Sequence, residues 1–176
     1  MSGAEYVFGY GSLVVAPGGY VTELAGHQRH WGVAMDNTRD LPGYKYFLAP
    51  DDTRPAVFVA FLDVTPAAGE AVNGVCTLVD PGALAGLDAR ERNYERVEVT
   101  PLVAGARGRT WAYVGSEAGR ERFARGRASA SCVVAEDYLR VVREGFRALG
   151  EAEYHRAAPS LDPGELPVRP LRRVDV

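Results

Sequence analysis

The sequence predicts an α+β fold: a mostly antiparallel, barrel-like β-sheet with a glutamate-bearing helix and a C-terminal helix packed outside it. Three observations carry this expectation. Strand-like segments dominate the first 115 residues, most connections between them are too short for the helix that a parallel crossover requires, and two later segments carry helix signals. With 176 residues the chain is long enough for one domain of ordinary size and too short for two separate cores. Such a chain hides roughly two-thirds of its unfolded surface and needs no disulfide or metal staple. Its 20 glycines and 11 prolines suit a fold with many turns.

The first strand is EYVFGY at 5–10, ending in a glycine-containing turn. Residues 29–50 hold Trp31, Pro42, Gly43, Tyr44, Tyr46 and Phe47 and predict one or two strands with a loop between them. The Val- and Phe-rich run 56–64 predicts a buried strand, followed by separate strands at 72–79, 94–100 and 109–114. Asp80-Pro81 supplies an N-cap followed by proline at the first helical position, so a helix is expected from there to about Arg92. A second helix is expected over 134–149. There Leu139, Val142, Phe146 and Leu149 share one face, Glu136 and Asp137 open the helix, Arg147 lies in its last turn and Gly150 ends it. Residues 1–150 are read as a single domain, and 151–176, with four prolines beyond Tyr154, as a Pro-rich C-terminal extension without a core of its own.

Charge and hydropathy exclude several functions. Twenty basic residues against 23 acidic ones leave a net charge of −3, which argues against nucleic-acid binding by phosphate neutralisation. The longest nearly apolar stretch, 55–64, is about half of a bilayer span, so no membrane insertion is expected. No basic segment, apolar stretch and cleavage site open the sequence, and a cytoplasmic location is expected. Cys76 and Cys132 show no paired spacing and read as buried small residues. His27 and His30 lack companion ligands, and no metal site is expected. Lys45 is the only lysine, a skew read as coding bias rather than recognition. The arginines at 120, 122, 125 and 127 read as a solvated face, with steering of an anionic substrate as the other reading.

Two features could carry chemistry. Leu84, Leu87 and Glu91 lie at i, i+3 and i+7, so a carboxylate continues the inward stripe of the first helix. A buried carboxyl either pairs with a base or has its pKa raised, as a proton shuttle requires. The other reading is a frayed helix end with Glu91 paired to Arg92, Arg96 or solvent. In FGYGSLV at 8–14, glycines flank Tyr10 and let backbone N–H groups approach a carboxylate or an oxyanion closely. A tight turn at a barrel corner is the alternative. The third glycine of a dinucleotide fingerprint would fall at Val14, and no Gly-Lys-Ser/Thr follows.

Taken together, FGYGSL at 8–13 and LDARERNYERVEV at 87–99 resemble the γ-glutamylcyclotransferase superfamily, including its ChaC-like and AIG2-like branches. VNGVCTLVD at 72–80 is similar to the family's strand leading into the glutamate helix. The resemblance runs in order over about residues 5–115 and implies a small-molecule γ-glutamyl substrate and no cofactor. Tyr10, Gly11, Ser12 and Leu13 would hold the substrate, Glu91 would be the acid/base, and Tyr94 matches an aromatic position near the site. The implied reaction is attack of the substrate's α-amino group on its own γ-carbonyl, giving 5-oxoproline and a free amine, as in glutathione metabolism. One departure stands out. Where some members supply a tyrosine hydroxyl over the substrate, between the last strand and the terminal helix, this chain offers Phe123 and lacks Gly-Leu-Pro. A noncatalytic barrel that binds a small molecule or a partner, with Glu91 as an ion-pair residue, remains the alternative from another class.

Overall fold

Two long strands set the frame of the computed structural model, which describes residues 3–176; the first two residues of the expected 1–150 domain lie outside the described residues. β2 (Tyr20–Asp36) and β4 (Phe58–Val79) pair antiparallel from Tyr20↔Cys76 to Asp36↔Phe58. The sequence reading separated 56–64 from 72–79, but the chain runs on as one strand. The register passes from Ala25↔Ala71 to His27↔Pro66, so residues 67–70 bulge opposite Gly26 alone, with φ of 70° at Gly26 and 79° at Gly69. A bulge of this kind bends a strand without ending it. The first half of β2 was not expected, because its alternating polar residues face solvent on one side and make no apolar run.

The main sheet runs β5-β6-β1-β4-β7-β8, with β2 along β4. Its remaining members are β1 (Glu5–Gly9), β5 (Tyr94–Glu98), β6 (Arg109–Gly115), β7 (Cys132–Ala135) and β8 (Val168–Arg169). β1 pairs antiparallel with the end of β4, from Glu5↔Val79 to Gly9↔Val75. A Cβ on Gly74 would come within 2.2 Å of the Gly9 carbonyl oxygen, so this close approach needs glycine. The sheet is mostly antiparallel, but β1–β6, β4–β7 and β7–β8 are parallel. These parallel pairs join strands distant in sequence, which the argument from short connections does not reach. A small second sheet pairs β3 (Tyr46–Leu48) with β9 (Arg172–Val174).

Four α-helices among the described residues accompany the sheets: α1 (Pro81–Arg90), α2 (Glu117–Ala128), α3 (Glu136–Ala148) and α4 (Glu151–Leu161). The two expected helices are α1 and α3. α2 escaped the sequence reading because it packs through glycines rather than an apolar stripe. Cβ atoms on Gly119 and Gly126 would meet the Asn93 carbonyl oxygen at 2.6 Å and the Phe58 Cβ at 2.9 Å. Its arginines are not all a solvated face: Arg120 pairs with buried Asp63 (2.9 Å), and Arg122 donates to the Ala34 carbonyl (2.7 Å). The segment set apart as a Pro-rich extension holds α4, whose Ala157 and Leu161 are buried in the cluster that contains Phe8, Leu62 and Phe146. No helix among the described residues is long and apolar enough to cross a membrane.

One buried amide fixes the loop between β2 and β3. Asn37, fully buried, donates to the carbonyls of Phe47 and Pro55 (both 3.0 Å) and accepts from the Phe47 amide (2.8 Å). Truncation leaves buried backbone groups without partners, at about 1–3 kcal/mol each. Asn37→Ala is therefore expected to lower stability by about 2–3 kcal/mol, read as a lower urea midpoint at unchanged slope. An unmoved midpoint would show that the clamp contributes nothing.

Candidate active site

Asp80 caps α1 by accepting from the Ala83 amide (2.8 Å), and Leu84 and Leu87 turn to the protein. The helix ends one residue short of Glu91, which is its C-cap at φ −87° and ψ 54°. Its amide donates to the Leu87 carbonyl (2.8 Å) and its carbonyl accepts from Tyr94 (3.0 Å), so the backbone is held from both sides. The carboxylate forms no salt bridge among the described residues. The arginines that could have paired with it are engaged elsewhere, Arg92 on the Pro42 carbonyl (2.8 Å) and Arg96 on Asp88 (3.0 Å).

The chain leaves β1 and folds back into a 3-10 turn, Ser12–Val15. A Cβ on Gly9 would lie 2.6 Å from the Leu13 carbonyl carbon. Tyr10 points inward, buried, and its hydroxyl donates to the Tyr113 carbonyl. Its own carbonyl accepts from Arg29 Nε (2.8 Å). Because carbonyl and amide oppose each other in a trans peptide, this bond fixes the direction of the Gly11 N–H. The amides of Gly11, Ser12 and Leu13 have no protein acceptor among the described residues. Ser12 is exposed at the rim.

These pieces meet in a two-part hollow. The inner part, only about 30 Å³, is lined by Gly9, Gly11, Leu13, Leu62, Tyr113 and others. The outer part holds about 450 Å³ and is lined by Tyr44, Lys45, Phe61, Arg90, Arg173 and Asp175 among others. Ser12, Glu91, Tyr94 and Tyr138 line both. All six residues singled out in the sequence for the site, Tyr10, Gly11, Ser12, Leu13, Glu91 and Tyr94, border the inner part. Tyr94 donates its hydroxyl to the Leu62 carbonyl (2.7 Å), which leaves its ring to the hollow.

Among the lining residues that escaped the sequence reading, Tyr138 and Lys45 stand out. Tyr138, near the start of α3, stands edge-on to Phe61 and Trp31, with ring centroids 5.0 and 5.8 Å away. Its hydroxyl lies 3.4 Å from the Leu62 amide, which donates to it. Phe123, read as the substitute for a substrate-facing tyrosine, packs against the core on α2, and it is Tyr138 that faces the hollow. Lys45 sits over the Phe61 ring at 4.5 Å and the Tyr44 ring at 5.6 Å.

Burial raises the pKa of Glu91 above the ordinary carboxylate value, against the opposing pull of Lys45, Arg90 and Arg173. Burial likewise raises Tyr10, Tyr94 and Tyr138, which stay neutral phenols at physiological pH. The hollow thus offers a carboxyl able to exchange a proton beside unpaired backbone donors. No group of His, Cys, Asp or Glu suited to a metal ion occurs among the described residues. His27 and His30 lie on β2, an odd number of positions apart and bonded separately, to the Ala25 carbonyl and the Thr65 hydroxyl.

A family model described as gamma-glutamyl cyclotransferase, AIG2-like, matches residues 7–139. Among solved structures, an uncharacterized protein from Homo sapiens, loc79017, is similar with a TM-score of 0.58 at 15% identity, over 94% of this chain and 91% of that one. A structure titled gamma-glutamyl cyclotransferase gives 0.55 at 15% identity, over 92% and 90% of the two chains. YkqA from Bacillus subtilis gives 0.60 at 14% identity, over 94% of this chain and 56% of its own. At these identities the likeness is one of fold. No curated protein matches by sequence.

The raised pKa of Glu91 has a consequence for stability. Below its unfolded-state pKa the side chain is protonated in both states and favours neither. As pH climbs toward the higher folded value the native state binds more protons, stability falls, and the penalty is complete above that value. Glu91→Gln is therefore expected to melt at a higher temperature than the wild type near neutral pH and to lose the advantage toward about pH 4. A difference that does not change with pH would count against the raised pKa.

Proposed function

This chain belongs to the gamma-glutamyl cyclotransferase, AIG2-like family, and from that premise we propose that it is a γ-glutamyl cyclotransferase: it closes the γ-glutamyl group of a small-molecule substrate into 5-oxoproline and releases an amine. The observation that carries this reading is the hollow shared by Glu91 and the 10–13 loop, with the carboxylate in no salt bridge among the described residues. The binder reading needs Glu91 locked by an arginine, and Arg92 and Arg96 are occupied elsewhere.

The reaction needs little machinery, since nucleophile and electrophile belong to one molecule and close a five-membered ring. Glu91 as carboxylate takes a proton from the substrate's α-ammonium. The freed nitrogen adds to the γ-carbonyl carbon, the bond from that carbon to the leaving nitrogen breaks, and Glu91 returns a proton to the departing amine. In all, two protons leave the ammonium and two reach the leaving nitrogen, so neither water nor an oxidant is consumed. A carboxyl with a raised pKa suits both transfers. The amides of Gly11, Ser12 and Leu13 supply donors for the substrate's α-carboxylate in the inner part. The Tyr94 ring bounds the glutamyl chain, and the neutral Tyr138 hydroxyl stands where it can donate to the γ-carbonyl oxygen as charge develops there.

Glu91→Gln is expected to keep the fold and lose turnover by about 10²-fold or more, measured as 5-oxoproline released from a panel of γ-glutamyl compounds. Near wild-type release would remove Glu91 from the mechanism. A methyl at Gly11 would press on the Tyr138 hydroxyl at 3.1 Å, so Gly11→Ala is expected to raise KM several-fold. An unchanged KM would argue against the loop as the carboxylate cradle.

A further inference from the structure

We infer that Lys45 is a specificity-determining residue: its ammonium forms, in the outer part of the hollow, a subsite for an acidic group on the amine that leaves. The inference rests on the proposed function and goes on to name the substrate class. Four residues, Ser12, Glu91, Tyr94 and Tyr138, line both parts of the hollow, so they mark its waist. With the α-carboxylate held by the 11–13 amides in the inner part, which has room for little more, the glutamyl chain passes the waist and the scissile bond lies beside Glu91. Whatever is attached beyond it must then occupy the outer 450 Å³.

The charged side chains that line the outer space are the cations Lys45, Arg90 and Arg173 and the carboxylates Glu91 and Asp175. Arg173 is already spent on Asp175, at 2.6 Å, and Arg90 is exposed at the end of α1, whereas Lys45 is half-buried and forms no salt bridge among the described residues. The carboxylate acting most strongly on Lys45 is that of Glu91, which must give up its charge during each turnover. The faces of Phe61 and Tyr44 stabilise the ammonium in place, and Asn37 anchors the loop that carries it, so the cation is built in rather than trailing in solvent. Burial lowers the Lys45 pKa to about 8, so the group is still mostly charged near neutrality, and an incoming carboxylate would raise that value again. A neutral alkylamine leaves this charge unanswered. A cationic leaving group meets repulsion.

The test compares γ-glutamyl-alanine with γ-glutamyl-ethylamide, which differ only by the carboxylate on the leaving amine. The wild type is expected to show a kcat/KM about tenfold or more higher for the alanine compound, and Lys45→Met to erase that ratio. Lys45→Arg, which keeps the charge, is expected to retain most of it and serves as well where the methionine variant is poorly folded. Equal wild-type kcat/KM for the two compounds would overturn the subsite while leaving cyclotransferase activity standing. Loss by Lys45→Met of both activities in equal proportion would also overturn it, placing the lysine on the glutamyl end. Release of 5-oxoproline from neither compound, or from any other of the γ-glutamyl panel, would fell the proposed function itself and this inference with it.

Discussion

The site exists because one edge of β4 is not continuously covered. β1 pairs with its last residues, Val75 to Val79, and β7 with its first, Phe58 and Val59, and between them that edge carries no ladder among the described residues. Buried backbone groups there would be costly if left unpaired. The Leu62 carbonyl accepts from the Tyr94 hydroxyl, its amide donates to that of Tyr138, and one carboxylate oxygen of Asp63 accepts from the Val64 and Gly115 amides. Two tyrosines thus serve as the missing strand while their rings wall a hollow that a real strand would have filled. Tyr94 follows Glu91 by three residues and Tyr138 faces Gly11, so the same side chains that complete the sheet define the space between acid and amides.

Preorganisation of the loop comes from a buried charge with no carboxylate of its own. Arg29 on β2 donates to the Tyr10 carbonyl, to the Asn73 carbonyl and side chain, and to the Ser160 hydroxyl, and it lies 4.7 Å over the Phe146 ring. One guanidinium therefore links the 10–13 loop, β4, α3 and α4. Burial lowers its pKa to about 10, which still leaves it charged at neutral pH. Asn73 passes on part of the compensation by donating to Glu153 of α4 (2.8 Å). A planar group with five donors can hold so many acceptors in fixed directions, which an ammonium could not do. The helix following α3 is accordingly part of what orients the Gly11 amide, although nothing in α4 touches the hollow.

Legibility in the sequence followed whether a signal was local. Asp80-Pro81, the stripe of α3 and the strand–glycine junction at 8–11 are local patterns, and they led to α1, α3 and the turn after β1. The Leu84–Leu87 stripe drew attention to Glu91 but left a frayed helix end as the other reading, and the helix in fact ends one residue before it. α2 carries local end signals, the Ser116 N-cap, Glu117 in its first turn and Arg125 and Arg127 in its last, but no apolar stripe, because packing through Gly119 and Gly126 replaces apolar side chains by close backbone approach. Tyr138 went unremarked; its importance depends on the gap beside Leu62, a property of strand order and not of spacing. Lys45 was the hardest to see. A lone lysine in an arginine-rich chain carries no pattern, and only folding brings it over Phe61 and opposite Glu91.

Why acid and loop meet at all follows from register. β4 ends with Val79 opposite Glu5, so α1 starts at the amino-terminal end of β1. β6 runs parallel to β1 with Glu5 beside Arg109 and Val7 beside Trp111, which carries Gly115 past the carboxyl-terminal end of β1. β5 begins at Tyr94 opposite Gly115, at that far end. Residues 80–94 must therefore travel the length of β1. A five-residue strand spans about 16 Å at about 3.3 Å per residue, and the ten residues of α1 span about 15 Å at about 1.5 Å per residue. The helix is as long as the strand it follows. It has to stop where β1 stops, and the residue at its C-cap is then delivered beside the turn that β1 makes on leaving the sheet.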